Sequence, residues 1–282
     1  MPRRDRPGLR RRARGRARRI VRSVWESFAR FHPAPLIVLG NQKSGTTAIA
    51  ALLGELTGQT VTLDLQKEIR RPRLPDVQAG RMTWEAYLRA NRHEFSRPIV
   101  KEPHLTPFYR PLAAQLPGAR FLLIVRDPRE NLRSILNRLH LPGDLARLTP
   151  RQWDTISPAW RMVVDGRWLG IEGGSYIEML ARRWQLCAEV GLRNREAMRV
   201  LRYEEFVARK LETLRELAWA YGWRERHDIR SRLDVQFQPA GRRGVDWRDF
   251  FGDGNLSRIE EICAGGMRAF GYEIAREGGR PQ

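Results

Sequence analysis

Cysteine is nearly absent: the 282 residues hold two, Cys187 and Cys263, with no CxxC pair and no Cys/His cluster. A disulfide framework and a zinc site therefore have no support, and a reducing compartment fits. No apolar run reaches the ~18 residues of a membrane-spanning helix, and the N-terminal stretch lacks the apolar core of a secretory leader. The expectation is a cytoplasmic protein. Acids are in deficit, with Asp+Glu 32 against Lys+Arg 52 and a net charge of +20. Residues 1–22 alone carry eleven arginines and one acid, Asp5, so about half the excess sits in a leading arm. Such an arm suits nucleic acid, an anionic membrane surface or plain solvation. No nucleic-acid module is legible, so nucleic acid is not the expected partner; peripheral contact with the inner face of the membrane stays open for the arm.

After the arm, Ile20 to Phe31 spaces Val21, Val24, Trp25 and Phe28 along one helical face, and His32-Pro33-Ala34-Pro35 ends that pattern. The expected division is a basic arm with a leading amphipathic helix over 1–32 and one domain over 33–282. That domain opens on Leu36-Ile-Val-Leu39, the composition of a buried strand. Gly40 breaks the run, Asn41 to Thr47 is small and polar with a single lysine, and an Ala/Leu-rich helix follows from Ala48 to Gly54. Strand, glycine-bounded loop and helix together direct backbone N–H groups at a phosphate. Gly40 and Gly45 have the spacing of GxxxxGK[ST], but Thr46 stands at the lysine position and the lysine comes early, at Lys43. The loop Lys43-Ser44-Gly45-Thr46-Thr47 thus fits a phosphate better than it fits ATP with magnesium.

The rest of the chain alternates. A strand is expected over Gln59–Leu65, a polar turn over Gln66–Pro72, a helix near Met82–Asn91, and strands at Pro98–Val100 and Phe121–Val125. A helix then runs through Leu139, and Val200 to Tyr203 leads a strand into another helix. This rhythm implies an α/β fold, a P-loop-like parallel β-sheet flanked by helices on both faces. A second site signal begins where the Phe121–Val125 strand ends, the edge at which such sheets bind ligands. There Arg126 precedes a helix on which Ser134 and Arg138, four apart, share a face.

The loop resembles the phosphosulfate loop of sulfotransferases that use 3′-phosphoadenosine 5′-phosphosulfate (PAPS), written [KR]-[ST]-G-T-[TS]. Arg126-Asp-Pro-Arg through Ser134 is similar to that family's 3′-phosphate motif. Leu201-Arg-Tyr203-Glu-Glu-Phe resembles its LRYEDLV stretch, and Gly241-Arg242-Arg243-Gly244 resembles its late basic loop, here one glycine shorter. The resemblance spans about Pro35 to Tyr272. It implies a PAPS-dependent sulfotransferase in which Lys43, Ser44, Gly45, Thr46 and Thr47 hold the 5′-phosphosulfate. Arg126, Ser134, Arg138, Arg242, Arg243 and Gly244 would hold the 3′-phosphate, Tyr203 would lie near the adenine, and 3′-phosphoadenosine 5′-phosphate (PAP) would be the product.

Sulfuryl transfer needs positioning, charge stabilisation on the departing oxygen, and a base for the acceptor hydroxyl. Lys43 suits the departing oxygen, and no metal is expected. For the base, Glu68 is similar in place to the glutamate of tyrosylprotein sulfotransferases, and His104 or Glu102 to the base segment of the cytosolic enzymes; Asp64 is a fourth candidate. The acceptor, a carbohydrate, lipid or tyrosine hydroxyl, should be read by residues 139–180 and their neighbours, where Trp153, Trp160, Trp168, Tyr176 and Trp184 alternate with arginines. Aromatic platforms among arginines suit a sugar or an acidic acceptor; core packing accounts for tryptophans equally well. Two other classes remain in play: a P-loop nucleotide kinase or other phosphotransferase, and a basic nucleic-acid-binding protein.

Overall fold

A computed structural model of the protein describes residues 29–235, 237 and 245–274. Five parallel strands form its sheet: β1 (Leu36–Gly40), β2 (Val61–Thr62), β3 (Ile99–Lys101), β4 (Arg120–Val125) and β5 (Arg199–Arg202), in the order β2-β3-β1-β4-β5. Strand β1 lies in the middle, registered Ile37 against Val100 on one side and Phe121 on the other. Its five residues are all buried. A strand covered on both faces has no polar side to present, which is why this stretch reads as an unbroken apolar run.

Side chains alternate between two cores, as the two-residue period of a strand requires. Ile37, Leu39, Val100, Leu123 and Val125 enter one cluster, and Leu36, Val38, Ile99, Leu122 and Ile124 the other. The second cluster lies under helix α1 (Thr46–Thr57) and a later helix, Lys210–Ala220. The first lies under α2 (Pro128–Leu139), α3 (Tyr176–Arg193) and a C-terminal helix over Trp247–Ala269 that is broken at Gly252, with α3 packed along that last helix. The α/β expectation, a parallel sheet with helices on both faces, is met.

Some boundaries differ. Helix α1 begins at Thr46, two residues earlier than expected, and passes through Gly54 to end at Gly58. A Cβ at Gly54 would sit 2.2 Å from Val61 Cγ2, so that glycine serves close helix–strand packing and does not stop the helix. The strand expected over Gln59–Leu65 shrinks to Val61–Thr62, an edge strand paired only to β3. Beyond it Asp64 turns to pair with Lys101, and the Leu65 N–H donates to Glu102 Oε2 at 3.0 Å. Gln66–Arg70, expected as a polar turn, is a short helix. Among the described residues no helix is long and apolar enough to cross a membrane. The arm, the leading helix through Phe28, and Arg242, Arg243 and Gly244 lie outside the described residues.

Candidate functional site

The chain leaves β1 toward β2 and leaves β4 toward β5, so the connections diverge between neighbouring strands β1 and β4. Parallel α/β sheets bind ligands at such a switch point, outside the carboxyl ends of the strands. A cleft of about 750 Å³ lies there, lined by the β1 loop, the start of α1, the inner face of α2 and the segments following β2, β3 and β5.

The loop's geometry depends on two unusual backbone positions. Gly45 has φ 90, and a Cβ there would fall 2.2 Å from the Tyr203 ring; the tyrosine therefore packs directly on bare backbone. As the N-cap of α1, Gly45 brings no side-chain cap, so the first turn at Thr46, Thr47 and Ala48 meets the cleft as helix backbone. Lys43 has φ 67, a left-handed conformation rarely adopted by residues with a side chain and costing about 1 kcal/mol. Arg126 holds it there, donating from Nη1 to the Lys43 carbonyl at 3.0 Å. The same guanidinium lies over the Tyr203 ring, 4.9 Å from its centroid. Thus Lys43, Gly45, Thr46, Thr47, Arg126, Ser134, Arg138 and Tyr203 all line one cleft.

Ser44 does not. It is fully buried, and its Oγ accepts a hydrogen bond from Asn131 Nδ2 at 3.0 Å. Its N–H already donates to the Asn41 carbonyl. Asn131 is the staple of the loop: Nδ2 also donates to the Gln42 carbonyl at 2.8 Å, while Oδ1 accepts from Asn41 Nδ2 at 2.8 Å. Below it Arg183, also fully buried, donates to Gln42 Oε1 at 3.2 and 3.3 Å. Glu130 ties the arginines together, accepting from Arg126 at 3.1 Å, from Arg133 at 2.5 Å and from Trp247 Nε1 at 2.9 Å. Asn131, Arg183 and Glu130 escaped the sequence reading. Two left a trace: Asn131 sits one turn before Ile135, and Arg183 between Leu180 and Cys187, each a polar residue on the apolar face of its helix.

Lys43 feels this crowd of cations. Burial first, then Arg138, Arg126 and Lys101, bring its pKa down to about 8. Across the cleft, Glu68 is buried, and its Oε2 accepts from the N–H groups of Arg73 (2.8 Å) and Leu74 (3.4 Å). Burial raises its pKa, opposed by these bonds and by Arg73. Glu102 uses both oxygens structurally, Oε2 for Leu65 N–H and Oε1 for His104 N–H at 3.1 Å, and burial and Asp64 push it up to about 7. His104 is held well below its ordinary pKa by burial, Arg183 and Lys101, which keeps its imidazole neutral. Among the described residues its Nδ1 has no hydrogen-bond partner.

The aromatic insert is mostly scaffold. Trp184 is buried and donates to the Arg126 carbonyl at 2.8 Å, Trp168 donates to the Met162 carbonyl and packs near Phe108, and Tyr176 donates to the Pro142 carbonyl. Trp153 lies beneath the Arg161 guanidinium. Of the five, Trp160 alone lines the cleft.

Comparison with known proteins bears on the family and the fold. Residues 33–238 match the model of the sulfotransferase domain. By structure the chain is similar to the sulfotransferase STF1 from Mycobacterium tuberculosis, at TM-score 0.53 and 14% identity over 86% of this chain and 81% of that one. It is also similar to the sulfotransferase STF9 from Mycobacterium avium, at TM-score 0.50 and 16% identity over 85% of this chain and 77% of that one. No curated protein sequence matches it.

Proposed function

We propose that the chain, which belongs to the sulfotransferase domain family, transfers a sulfuryl group from PAPS to an acceptor hydroxyl in this cleft. One observation carries the reading: Lys43 and the start of α1 meet Arg126, Ser134 and Arg138 in a single cleft at the β1/β4 switch point. Such a cleft would offer one ligand two anion-receiving groups, as a nucleotide phosphorylated at the 3′ position and carrying a 5′-phosphosulfate requires. Lys43 and the N–H groups from Gly45 to Thr47 would receive the 5′ end; Ser44 would act by holding the loop in shape, since its N–H is held by Asn41 and its hydroxyl accepts from Asn131. Arg126, Ser134 and Arg138 would receive the 3′-phosphate, and Tyr203, lying on Gly45, offers a face for the base.

In the reaction the acceptor oxygen forms a bond to sulfur as the sulfur–oxygen bond to the phosphate breaks. The electron pair stays on the departing phosphate oxygen, where the Lys43 ammonium stabilises it, and the hydroxyl proton passes to Glu68. We assign Glu68 as base over Glu102, whose two oxygens are both held by backbone N–H groups, and over His104, whose depressed pKa makes it a weak proton acceptor. The proposal calls for no metal, since fixed cations already meet the charge that develops.

Binding of PAP against ATP tests the reading and carries a pH signature. An anion prefers protonated Lys43, so PAP affinity should be highest below pH 8 and fall as pH rises through about 8, approaching tenfold per unit, with proton uptake on binding. Lys43→Met should flatten that dependence. ATP binding as tight as PAP binding would refute the proposal.

Arg138 gives the cleaner test of the 3′-phosphate site. Arg126 also holds the Lys43 carbonyl and lies on Tyr203, so its removal would disturb both ends of the ligand. Arg138 is exposed at the end of α2, and Arg138→Ala removes charge with little packing. A lost charge-assisted hydrogen bond costs about 1.5–3 kcal/mol, so PAP affinity should fall roughly ten- to a hundredfold. Affinity for adenosine 5′-phosphate should move less than threefold; equal losses for both ligands would remove Arg138 from the 3′-phosphate site.

A further inference from the structure

Arg183, near the middle of α3, is completely buried. Among the described residues its side chain donates only to Gln42 Oε1, from Nε at 3.3 Å and Nη2 at 3.2 Å, while Nη1 has no partner. Burial lowers its pKa, opposed by Cys187 and Glu102, yet a guanidinium keeps its proton at any ordinary pH. A charge buried without a hydrogen-bonded carboxylate costs stability. A methionine of similar length would carry no such cost, so stability alone does not account for the arginine.

Its chemistry fixes what it does to the loop. Arginine has donors and no acceptor, so the Gln42 amide must turn Oε1 toward it and keep that direction. Asn131 holds the carbonyl of the same residue, and the next residue is Lys43, at φ 67, with its own carbonyl on Arg126. The Gln42–Lys43 backbone is thus tied from α3, from α2 and from the end of β4. A left-handed lysine released from these ties relaxes to negative φ and swings its ammonium away from its present neighbours. Arg126 lines the cleft and would be drawn on by a bound nucleotide. Arg183 does not line it, so its hold is the same with and without ligand.

We infer that Arg183 is a positioning residue for Lys43: its buried guanidinium orients Gln42, and Gln42 fixes the backbone that carries Lys43 into the cleft. The inference deepens the sulfotransferase reading, in which Lys43 meets the departing phosphate.

The sequence makes a direct test possible, because it holds four lysines, Lys43, Lys67, Lys101 and Lys210. In the full chain labelled with carbon-13 lysine, the Cε signal lost in Lys43→Met identifies Lys43, and its titration is followed by NMR without any ligand. The charged groups facing it are Arg126, Arg138 and Lys101, with Asp64 paired to Lys101 and Glu102 and His104 beside them in the cleft wall. The parent midpoint is about 8. In Arg183→Met it should rise by about one unit or more, because the released ammonium leaves Arg126 and Arg138 for solvent. PAP affinity at pH 7 should fall about tenfold, while the melting temperature holds or rises as a buried charge is removed. Gln42→Ala keeps the Arg183 charge and cuts the link, so it should raise the Lys43 midpoint equally although it lowers the melting temperature. The double variant should lie within about twofold of either single in PAP affinity and regain the lost stability.

An unchanged Lys43 midpoint in either folded single variant would overturn the inference. So would a rise in Arg183→Met alone, which would mean that the arginine acts by its charge and not through Gln42, and so would additive losses in the double variant. A parent chain that fails to bind PAP would refute the sulfotransferase reading and leave the lysine titration to decide the role of Arg183.

Discussion

Lys43→Ala should lower kcat about a hundred- to a thousandfold while the protein stays folded. The range is that of removing one preorganised group aimed at charge that develops in the transition state. Burial and three neighbouring cations hold Lys43 at a pKa of about 8, so near pH 7 it is mostly protonated and its charge is poorly masked by solvent. A cation in that setting gains more from a new negative oxygen than it would on an open surface. The ground-state nucleotide already carries phosphate charge, so its affinity should fall as well, but by less than kcat. Stability should hold or rise slightly, because alanine removes a desolvated charge from among Arg138, Arg126 and Lys101. Turnover within fivefold of the parent in a folded Lys43→Ala protein would remove the lysine from the chemistry. The strained φ of 67 survives the substitution, since Arg126 binds the carbonyl and not the side chain.

Much of this site could be read from local sequence, for a physical reason. A strand buried on both faces, a loop that turns on glycine, and a helix N-terminus are all decided within a few residues. Leu36 to Thr47 therefore announced its structure, and so did Arg126 to Arg138. What could not be read depends on contacts between distant segments. Asn131 reaches back to Gln42 and Ser44, and Arg183 to Gln42, across separations of 87 to 141 residues. Ser44 looked like a ligand because it stands in the loop, and only the position of Asn131 turns its hydroxyl inward. The insert misled in the same way: tryptophans spaced among arginines look alike whether they line a cleft or fill a core, and four of the five are scaffold.

Glu68→Gln should lower kcat about a hundred- to ten-thousandfold, the usual contribution of a positioned general base, with PAP affinity within threefold of the parent. Of the four candidate bases, Asp64 is paired to Lys101 and Glu102 has both oxygens held by backbone N–H groups, whereas Glu68 combines a raised pKa with a usable oxygen. Its Oε2 is occupied by two backbone N–H groups, whereas Oε1 has only a long contact of 3.4 Å to Arg73 Nε. Burial raises the carboxyl's proton affinity, opposed by the Arg73 and Leu74 contacts, so that it is more basic than a surface glutamate. The pH profile should separate a base from a structural carboxylate. The rising limb of kcat/KM in the parent should follow Glu68 and lie above the ordinary glutamate range, because only the ionised form accepts the proton. In Glu68→Gln that limb should disappear, and Glu68→Asp should restore part of the rate together with a limb. The amide of glutamine can still accept the Arg73 and Leu74 N–H groups, so thermal stability should change little. A Glu68→Gln protein with parental kcat and an unaltered rising limb would pass the role to His104, whose Nδ1 has no hydrogen-bond partner among the described residues.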